Sequence, residues 1–272
     1  MTNFWDDILI FARVTVDRVG EQLLQDFGYA QADEKDDGSL VTESDKWADA
    51  TIRSAIASTF PSHGILSEEG EQIFPDTEWC WVVDPLDGTT NFARGIPIWG
   101  ISLGLLYRGT PVFGCVHLPP LRQTFHGFFA PDLTGDVFDN MPCGAFLNDR
   151  PIRPGQDKMS GNHFFNVCLR SVAIAPHIPT KVRMLGVATY NFLTVAFGAV
   201  LGGVEATPKI WDIAGSWAIV NAAGAVWMPL ESAPIFPLEV GKDYGKRNYP
   251  TLVANRQELV SVFLPFVESF KR

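Results

Sequence analysis

The spacing of apolar residues at the start of the chain is that of an amphipathic helix. Over residues 4–27 the positions expected to face a core recur every three or four residues, and they are Ile8, Phe11, Ala12, Thr15, Val19 and Leu23. This period predicts a helix. A second helix is predicted from Ser44, a candidate N-cap, through Ala57. The charged stretch between them, residues 31–39, has no period and predicts a solvated or mobile loop.

Short apolar runs in the middle of the chain predict strands. They cover residues 63–66, 79–83, 98–106, 111–117 and 125–130. The run at 79–83 stops at Asp84 and Pro85, and the strand is expected to end there because proline cannot donate to a sheet. Residues 131–162 are rich in proline, glycine and aspartate and predict loops with short strands.

The last third of the chain alternates between the two kinds of element. It predicts a strand at 167–173, helices at 189–200 and 212–223, two closing strands, and a helix near 256–270. Gly224 is expected to end the second of these helices. The sequence has no internal repeat and no linker long enough to separate domains. The pattern therefore predicts an α/β or α+β fold with layered sheets.

The composition is that of an ordinary globular protein. The chain has 272 residues, of which 46% are hydrophobic and 19% charged, and this excludes a disordered or coiled-coil protein. Its 31 acidic and 21 basic residues give a net charge of −10. That balance argues against a nucleic-acid partner, because a phosphate backbone rewards Lys and Arg. A small anionic substrate stays compatible with it if a bound cation supplies local positive charge.

Cysteines and apolar stretches bear on the compartment. The four cysteines form no C-x-x-C pair, so structural zinc is not expected, and their sparse spacing fits a reducing compartment. Asp6 and Asp7 stand where a signal peptide would be basic. The longest apolar stretch, residues 190–204, is broken by polar residues and glycines and predicts a buried helix rather than a membrane span. We therefore predict a soluble cytoplasmic protein.

Carboxylates after predicted strands are the candidate chemistry. Asp84 and Asp87 lie three residues apart just beyond a strand, and loops at strand ends often carry function. Gly88 would let backbone approach a ligand closely, and a short helix starting at Thr89 would present an anion site. An isolated D-x-x-D is most often a solvated turn. The longer string D-P-L-D-G-T-T-N-F over residues 84–92 is much more specific.

Two further acidic positions have similar settings. Glu68 and Glu69 follow a predicted strand, and Asp212 opens a predicted helix. Hard divalent cations such as Mg²⁺ take oxygen ligands of this kind and keep water and substrate phosphate in their shells. No histidines are paired at a zinc-binding helical spacing.

Four segments together carry a family resemblance. They are L-V-T-E-S-D at 40–45, S-E-E-G at 67–70, the string at 84–92, and W-D-I-A-G at 211–215. In their order and spacing the sequence resembles the inositol monophosphatase family, the lithium-sensitive Mg²⁺-dependent phosphatases. The resemblance covers nearly the whole chain. It implies a layered αβαβα sandwich of the inositol monophosphatase and fructose bisphosphatase type, formed by residues 1–272 as a single unit. An N-terminal lobe, about 1–150, would carry most metal ligands, and a C-terminal lobe, about 151–272, would carry Asp212 and the substrate-contact residues.

The resemblance also implies a metal site. Glu68, Asp84 and the carbonyl of Leu86 would hold the first Mg²⁺. Asp84, Asp87 and Asp212 would hold the second, so that Asp84 bridges. A third, weaker Mg²⁺ would lie near Glu68 through water.

The remaining implied roles concern water and substrate. Asp45 and Thr89, with Glu68, would orient the water on the first metal, and the backbone N–H groups of Gly88 and Thr89 would hold the phosphate. The positions that would contact the substrate are Asp87, Gly88, Thr89, Gly186, Ala188, Glu205 and Asp212. In this scheme no cysteine or serine nucleophile is required, because the catalysis consists of positioning and charge stabilisation.

Two positions depart from the family pattern. Ser67 replaces the usual glycine before the Glu pair, and little effect is expected. Lys35, ten residues before Asp45, matches a family lysine only loosely, and we leave it outside the predicted site.

Two other motifs are rejected. Residues 100–104 match G-x-S-x-G, but both flanks are strand-like, so a core strand is predicted instead of a nucleophile elbow. The D-x-x-D-G-T string is one residue longer than the motif of haloacid dehalogenase phosphatases, which disfavours an aspartyl-phosphate intermediate.

We therefore predict a phosphatase that hydrolyses a small phosphorylated metabolite with two or three Mg²⁺ and is inhibited by Li⁺. Inositol monophosphate is the leading substrate. Histidinol phosphate, fructose bisphosphate and an adenosine bisphosphate are alternatives, although the chain is short for the nucleotide branch. A regulatory binding protein is the alternative of a different class, and the presence of every predicted metal ligand argues for the enzyme. The resemblance suggests a homodimer.

Overall fold

The protein is described by a computed structural model, which covers residues 3–35, 38, 40–130 and 133–270. Its α-helices are α1 (Phe4–Asp26), α2 (Glu43–Thr59), α3 (Thr89–Ala93), α4 (Ala188–Ala196), α5 (Ile210–Ala223) and α6 (Gln257–Val267). Its first strands are β1 (Ala32–Glu34), β2 (Leu40–Thr42), β3 (Gly64–Ser67), β4 (Trp79–Asp87), β5 (Gly100–Tyr107), β6 (Thr110–Leu118), β7 (Gln123–Phe128), β8 (Gly144–Leu147) and β9 (Arg150–Pro151). The remaining strands are β10 (Phe164–Val167), β11 (Lys181–Arg183), β12 (Gly202–Glu205), β13 (Val226–Pro229) and β14 (Thr251–Ala254).

Two large sheets organise the molecule. The first has seven strands in the order β3-β4-β5-β6-β7-β8-β9, with β3 parallel to β4 and every other pair antiparallel. The second has five strands in the order β11-β10-β12-β14-β13 and is mixed. The strands β4 to β6 are almost continuously buried, because helices cover both faces of the first sheet.

The helices complete five layers. The helices α1 and α2 pack on the outer face of the first sheet, α4 and α5 lie between the sheets, and α6 covers the outer face of the second. This is the αβαβα arrangement that the resemblance implies, and the mixed α/β class is confirmed.

Glycines bring α5 unusually close to the first sheet. A Cβ atom at Gly114 of β6 would lie 2.0 Å from the carbonyl oxygen of Gly215, and one at Gly104 of β5 would lie 2.7 Å from the amide of Gly215. Only a residue without a side chain fits this contact. The second glycine of the G-x-S-x-G motif therefore serves helix packing, in a core strand as predicted.

The structure corrects the predicted ends of β4 and α2. The N-cap of α2 is Thr42 rather than Ser44, and its side chain accepts from the amide of Asp45. The strand β4 continues past Pro85 to Asp87, because its register against β5 shifts between Asp84 and Asp87. The shift accommodates the proline, so the ladder resumes at Asp87.

Three other predicted elements were wrong in type or length. The strand predicted at 167–173 is the end of β10 followed by a 3₁₀ helix, Leu169–His177. The helix predicted at 189–200 stops at Ala196, since Gly198 takes a left-handed φ of 80°. In the charged loop, Ala32–Glu34 pairs with β2 as a short strand, while residues 36, 37 and 39 lie outside the described residues. In the ranges that the structure describes, no helix has the length and apolarity to cross a membrane.

Candidate active site

The irregular end of β4 places two carboxylates at one end of the first sheet. Both Asp84 and Asp87 are buried, at 1% and 8% exposure. The amide of Leu86 donates to Asp84 Oδ1 over 3.0 Å, which closes the turn around Pro85. Gly88 follows with a φ of 92° and precedes α3. A Cβ atom there would lie 2.7 Å from Val187 Cγ2, so this position requires glycine on two grounds.

The helix α5 brings a third carboxylate to the same place. Asp212 lies in the first turn of α5, where its Oδ2 accepts from the amide of Lys209 over 2.6 Å. One oxygen of each of Asp84, Asp87 and Asp212 lies within 4.8 Å of the others. Asp212, which is 125 positions after Asp87 in the chain, thus joins Asp84 and Asp87 in one acidic cluster.

The cluster is electrostatically unfavourable without a cation. Burial, followed by repulsion from Glu68, Asp87 and Asp212, raises the pKa of Asp84 well above its ordinary value. Burial and the charge of Asp87 do the same to Asp212, and burial raises the pKa of Asp87. Buried oxygens of like charge at this spacing are the donor set that a hard divalent cation takes. The residues present therefore fit the metal that the resemblance implies.

The loop after β3 adds the Glu pair and a lysine. The ammonium of Lys35 lies 3.0 Å from Glu68 Oε1 and also pairs with Glu69. Burial, followed by the charge of Glu69, raises the pKa of Glu68 to about 7, although Lys35 opposes the shift. Burial lowers the pKa of Lys35, but the attraction of Glu68 and Glu69 outweighs it and leaves that pKa raised. Lys35, which the sequence analysis left out, thus supplies positive charge to a predicted metal ligand.

Asp45 and Thr89 form a second linked group. Asp45 is the third residue of α2 and completes a capping box with Thr42, whose amide donates to Asp45 Oδ2 over 2.8 Å. The other oxygen, Oδ1, accepts from the Thr89 hydroxyl over 2.9 Å. That hydroxyl also lies 3.1 Å from the carbonyl oxygen of Leu86. Thr89 has one proton for two acceptors, so it connects Asp45 to the carbonyl predicted as a metal ligand.

Burial raises the pKa of Asp45. The hydrogen bonds from the Thr42 hydroxyl, the Thr42 amide and the Thr89 hydroxyl oppose that shift. A carboxylate held by three donors in this way is fixed in position.

Asp87 also connects the cluster to the C-terminal part of the chain. Its Oδ1 accepts from the amide of Ala188 over 3.2 Å, and its Oδ2 accepts from the amide and the hydroxyl of Thr189 over 2.7 and 2.6 Å. The start of α4 is therefore docked on Asp87. Gly186 precedes it with a φ of 76°, and the Asn91 amide donates to the carbonyl of Leu185 over 2.9 Å. The side chains of Asp87 and Asn91 thus bind the backbone on both sides of Gly186 and hold Ala188 beside the cluster.

Glu205 lies at the end of β12 and is 6% exposed. The side-chain amide of Asn191 donates to its carboxylate, and the Cys168 thiol is a second partner. Burial, followed by the charge of Asp87, raises the pKa of Glu205 to about 7. Neither Asn191 nor Cys168 lies in a recognisable motif, so the sequence did not indicate them as site residues.

Comparisons with known proteins show what this chain is similar to. The model of the inositol monophosphatase family matches residues 5–261. An inositol-1-monophosphatase of Synechocystis sp. is 32% identical over 216 residues, which cover 73% of this chain and 69% of the relative. A histidinol-phosphatase of Mycobacterium tuberculosis is 29% identical over 236 residues, or 80% of this chain and 85% of the relative. The solved structure of an IMPase of Thermotoga maritima has a TM-score of 0.79 at 28% identity and covers 97% of this chain and 99% of its own.

Proposed function

Because this chain belongs to the inositol monophosphatase family, a family of phosphatases, we propose that it hydrolyses a small phosphate monoester, with inositol monophosphate as the leading substrate. The observation that carries the proposal is the buried cluster of Asp84, Asp87 and Asp212. Such a cluster is costly to bury unless it binds a cation, and a cation beside an anionic ester is what this hydrolysis needs.

The proposed metal ligands are the residues of the implied site. Glu68, Asp84 and the carbonyl of Leu86 would hold one Mg²⁺, and Asp84 would share a second with Asp87 and Asp212. A third would lie near Glu68. The bound metal would lower the pKa of its water and would neutralise charge on the phosphate.

The chain's own groups would position the reactants. Asp45 would accept a hydrogen bond from the attacking water, and Thr89, which donates to Asp45, would fix its direction. The amides of Gly88 and Thr89 would donate to the phosphate, and among the described residues no side chain caps this end of α3. We propose that Glu205 binds the alcohol part of the substrate. Its buried carboxylate accepts hydrogen bonds and is close enough to Asp87 for the two charges to interact.

Histidinol phosphate is a second candidate substrate, supported by the histidinol-phosphatase relative. A sugar bisphosphate such as fructose bisphosphate uses the same phosphate chemistry and remains in the proposal. We further propose inhibition by Li⁺, a homodimer and a cytoplasmic location, as the resemblance implies.

The test is phosphate release from a panel of esters. The panel contains inositol monophosphates, histidinol phosphate, fructose bisphosphate, adenosine bisphosphate and a generic aryl phosphate, each with and without Mg²⁺ and Li⁺. One substrate about a hundredfold above the rest in kcat/KM, or ~2.7 kcal/mol, would identify the substrate. A folded protein that releases no phosphate from any of them would contradict the proposal and favour a regulatory binding protein.

Two variants locate the activity. Asp84→Asn should reduce turnover on the order of 1000-fold, because it removes a shared metal ligand while keeping the side-chain shape. Asp76→Asn is the matched control, since Asp76 is exposed and outside the site. Equal activity of wild type and Asp84→Asn, with both folded by circular dichroism, would exclude the cluster as the reaction centre.

A further inference from the structure

One face of α2 lies along the loop that carries Glu68 and Glu69, starting at the candidate metal site. Asp45, Asp49 and Arg53 lie four residues apart and so share a helix face. Asp45 belongs to the candidate active site. Asp49 and Arg53 contact the loop that carries Glu68 and Glu69, although neither residue belongs to a predicted motif.

The first contact is at the N-terminal side of the loop. Ser67, the last residue of β3, is fully buried, and its hydroxyl donates to Asp49 Oδ1. Asp49 is itself 3% exposed, and its Oδ2 lies 3.4 Å from Arg53 Nη1. The serine hydroxyl therefore satisfies one oxygen of a buried carboxylate, and the guanidinium satisfies the other.

The second contact is at the C-terminal side. A Cβ atom at Gly70 would lie 2.9 Å from Arg53 Nη1, so the guanidinium rests directly on Gly70. Between the two contacts the loop is closed by backbone bonds: the amide of Ser67 donates to the carbonyl of Glu71 over 2.9 Å. The Gln72 side chain donates to the carbonyl of Glu68 over 2.8 Å. The Glu pair is thus held at both ends by a single helix.

We propose that Asp49, Ser67 and Arg53 form a loop clamp that positions Glu68 relative to Asp45 and so sets the affinity of the site for a divalent cation. The inference rests on the proposed function, because it takes Glu68 as a metal ligand. Ser67 is a positioning residue here, and it stands where the family usually has glycine. This departure from the family pattern thus has a positioning role, whereas the sequence alone predicts little effect.

The Ser67→Ala variant separates the effect of loop geometry on cation binding from the effect of charge. It removes the hydroxyl that orients Asp49 and leaves every charged group in place. A change in cation affinity then reports the geometry of the loop. Partners that orient a metal ligand are typically worth 10- to 100-fold in metal affinity.

The experiment measures Mn²⁺ binding to the metal-free full chain by electron paramagnetic resonance, together with thermal unfolding of the metal-free protein. We expect Ser67→Ala to bind Mn²⁺ about tenfold more weakly than wild type. Ser216→Ala is the matched control, since Ser216 is also fully buried but its hydroxyl has no hydrogen-bond partner among the described residues. Its affinity should stay within about twofold of wild type.

A second variant covers the case in which Ser67→Ala does not fold. Arg53→Gln removes a half-exposed positive charge, and Coulomb attraction alone would then strengthen cation binding. The clamp predicts the opposite, a weaker affinity, because Asp49 and Gly70 both lose their contact.

The outcomes separate the clamp from the activity. Variants that unfold at lower temperature but bind Mn²⁺ as wild type does would reduce the clamp to a purely structural contact and overturn the proposal. A wild-type protein that binds Mn²⁺ yet releases no phosphate would contradict the proposed activity and leave the clamp standing. A wild type that binds no Mn²⁺ at millimolar concentration would overturn both.

Discussion

Replacing Glu205 with glutamine should stabilise the metal-free protein at pH 8 and change it little at pH 5. The carboxylate is 6% exposed and is bonded to Asn191 and Cys168, with no cation as a partner among the described residues. Burial, followed by repulsion from Asp87, raises its pKa to about 7 from the ordinary value of 4.5. The folded chain therefore holds a proton on Glu205 at pH values where the unfolded chain has released it.

This difference in proton binding gives both the sign and the size of the effect. The contribution of protonated Glu205 to the stability of the folded chain is fully present below the unfolded pKa of 4.5. It is lost as the pH rises through the folded pKa of about 7. At about 1.4 kcal/mol for each tenfold change in proton affinity, the difference between the two pKa values corresponds to roughly 3 kcal/mol. Glutamine keeps the shape and stays neutral, so the Glu205→Gln variant avoids this loss at pH 8.

The assay is urea unfolding of both proteins in EDTA at pH 5, 6, 7 and 8. The free energy of unfolding of wild type should fall relative to the variant by up to about 3 kcal/mol between pH 5 and pH 8. Glu21→Gln, at an exposed position with no partner among the described residues, is the control and should show no such trend. A stability difference between wild type and Glu205→Gln that does not change with pH, or that grows in favour of wild type at pH 8, would refute the reasoning.

Two further substitutions test the groups around the metal site. Thr89→Ala should lower kcat about 100-fold or more with little change in KM, because it removes the hydroxyl between Asp45 and Leu86; Thr89→Ser keeps the hydroxyl and should retain most activity in steady-state assays. Lys35→Ala should raise the affinity of metal-free protein for Mn²⁺ about tenfold, or ~1.4 kcal/mol, since the ammonium no longer competes for Glu68. Unchanged or weaker Mn²⁺ binding in a calorimetric titration would contradict that competition.

The sequence predicts this fold and the acidic cluster well because the carboxylates stand next to elements that have a strong hydrophobic pattern. Asp84 and Asp212 each lie at the end of a strongly patterned element, so knowing the elements is nearly enough to place the carboxylates. The strand predicted at 167–173 fails for the opposite reason. A short apolar run fits a strand or a helix, and a hydrogen bond from the amide of Cys168 to Ser171 Oγ decides for the 3₁₀ turn.

Residues that act through long-range contacts leave no such signal. Lys35 lies in a charged stretch without any period, and only the folded chain brings it to Glu68, 33 residues away. Ser67 differs from the family glycine by a hydroxymethyl group, and the positioning role proposed for it depends on Asp49, which belongs to a different element. Such contacts require the tertiary structure, because neither partner is unusual for its own segment.

Two groups of residues meet at Asp87, and this arrangement explains why the motifs do not determine the substrate. In the proposed site, the phosphate end consists of residues 84–92 and Asp212, and its buried acidic cluster would serve a chemistry that is the same for every phosphate monoester. The proposed alcohol end consists of residues 186–189 and Glu205, and the hydrogen bonds of Ala188 and Thr189 to Asp87 attach it to the first part. Side chains beyond that attachment can change without moving a metal ligand. We therefore expect the residues of the second group to determine the substrate, and the substrate panel tests this expectation.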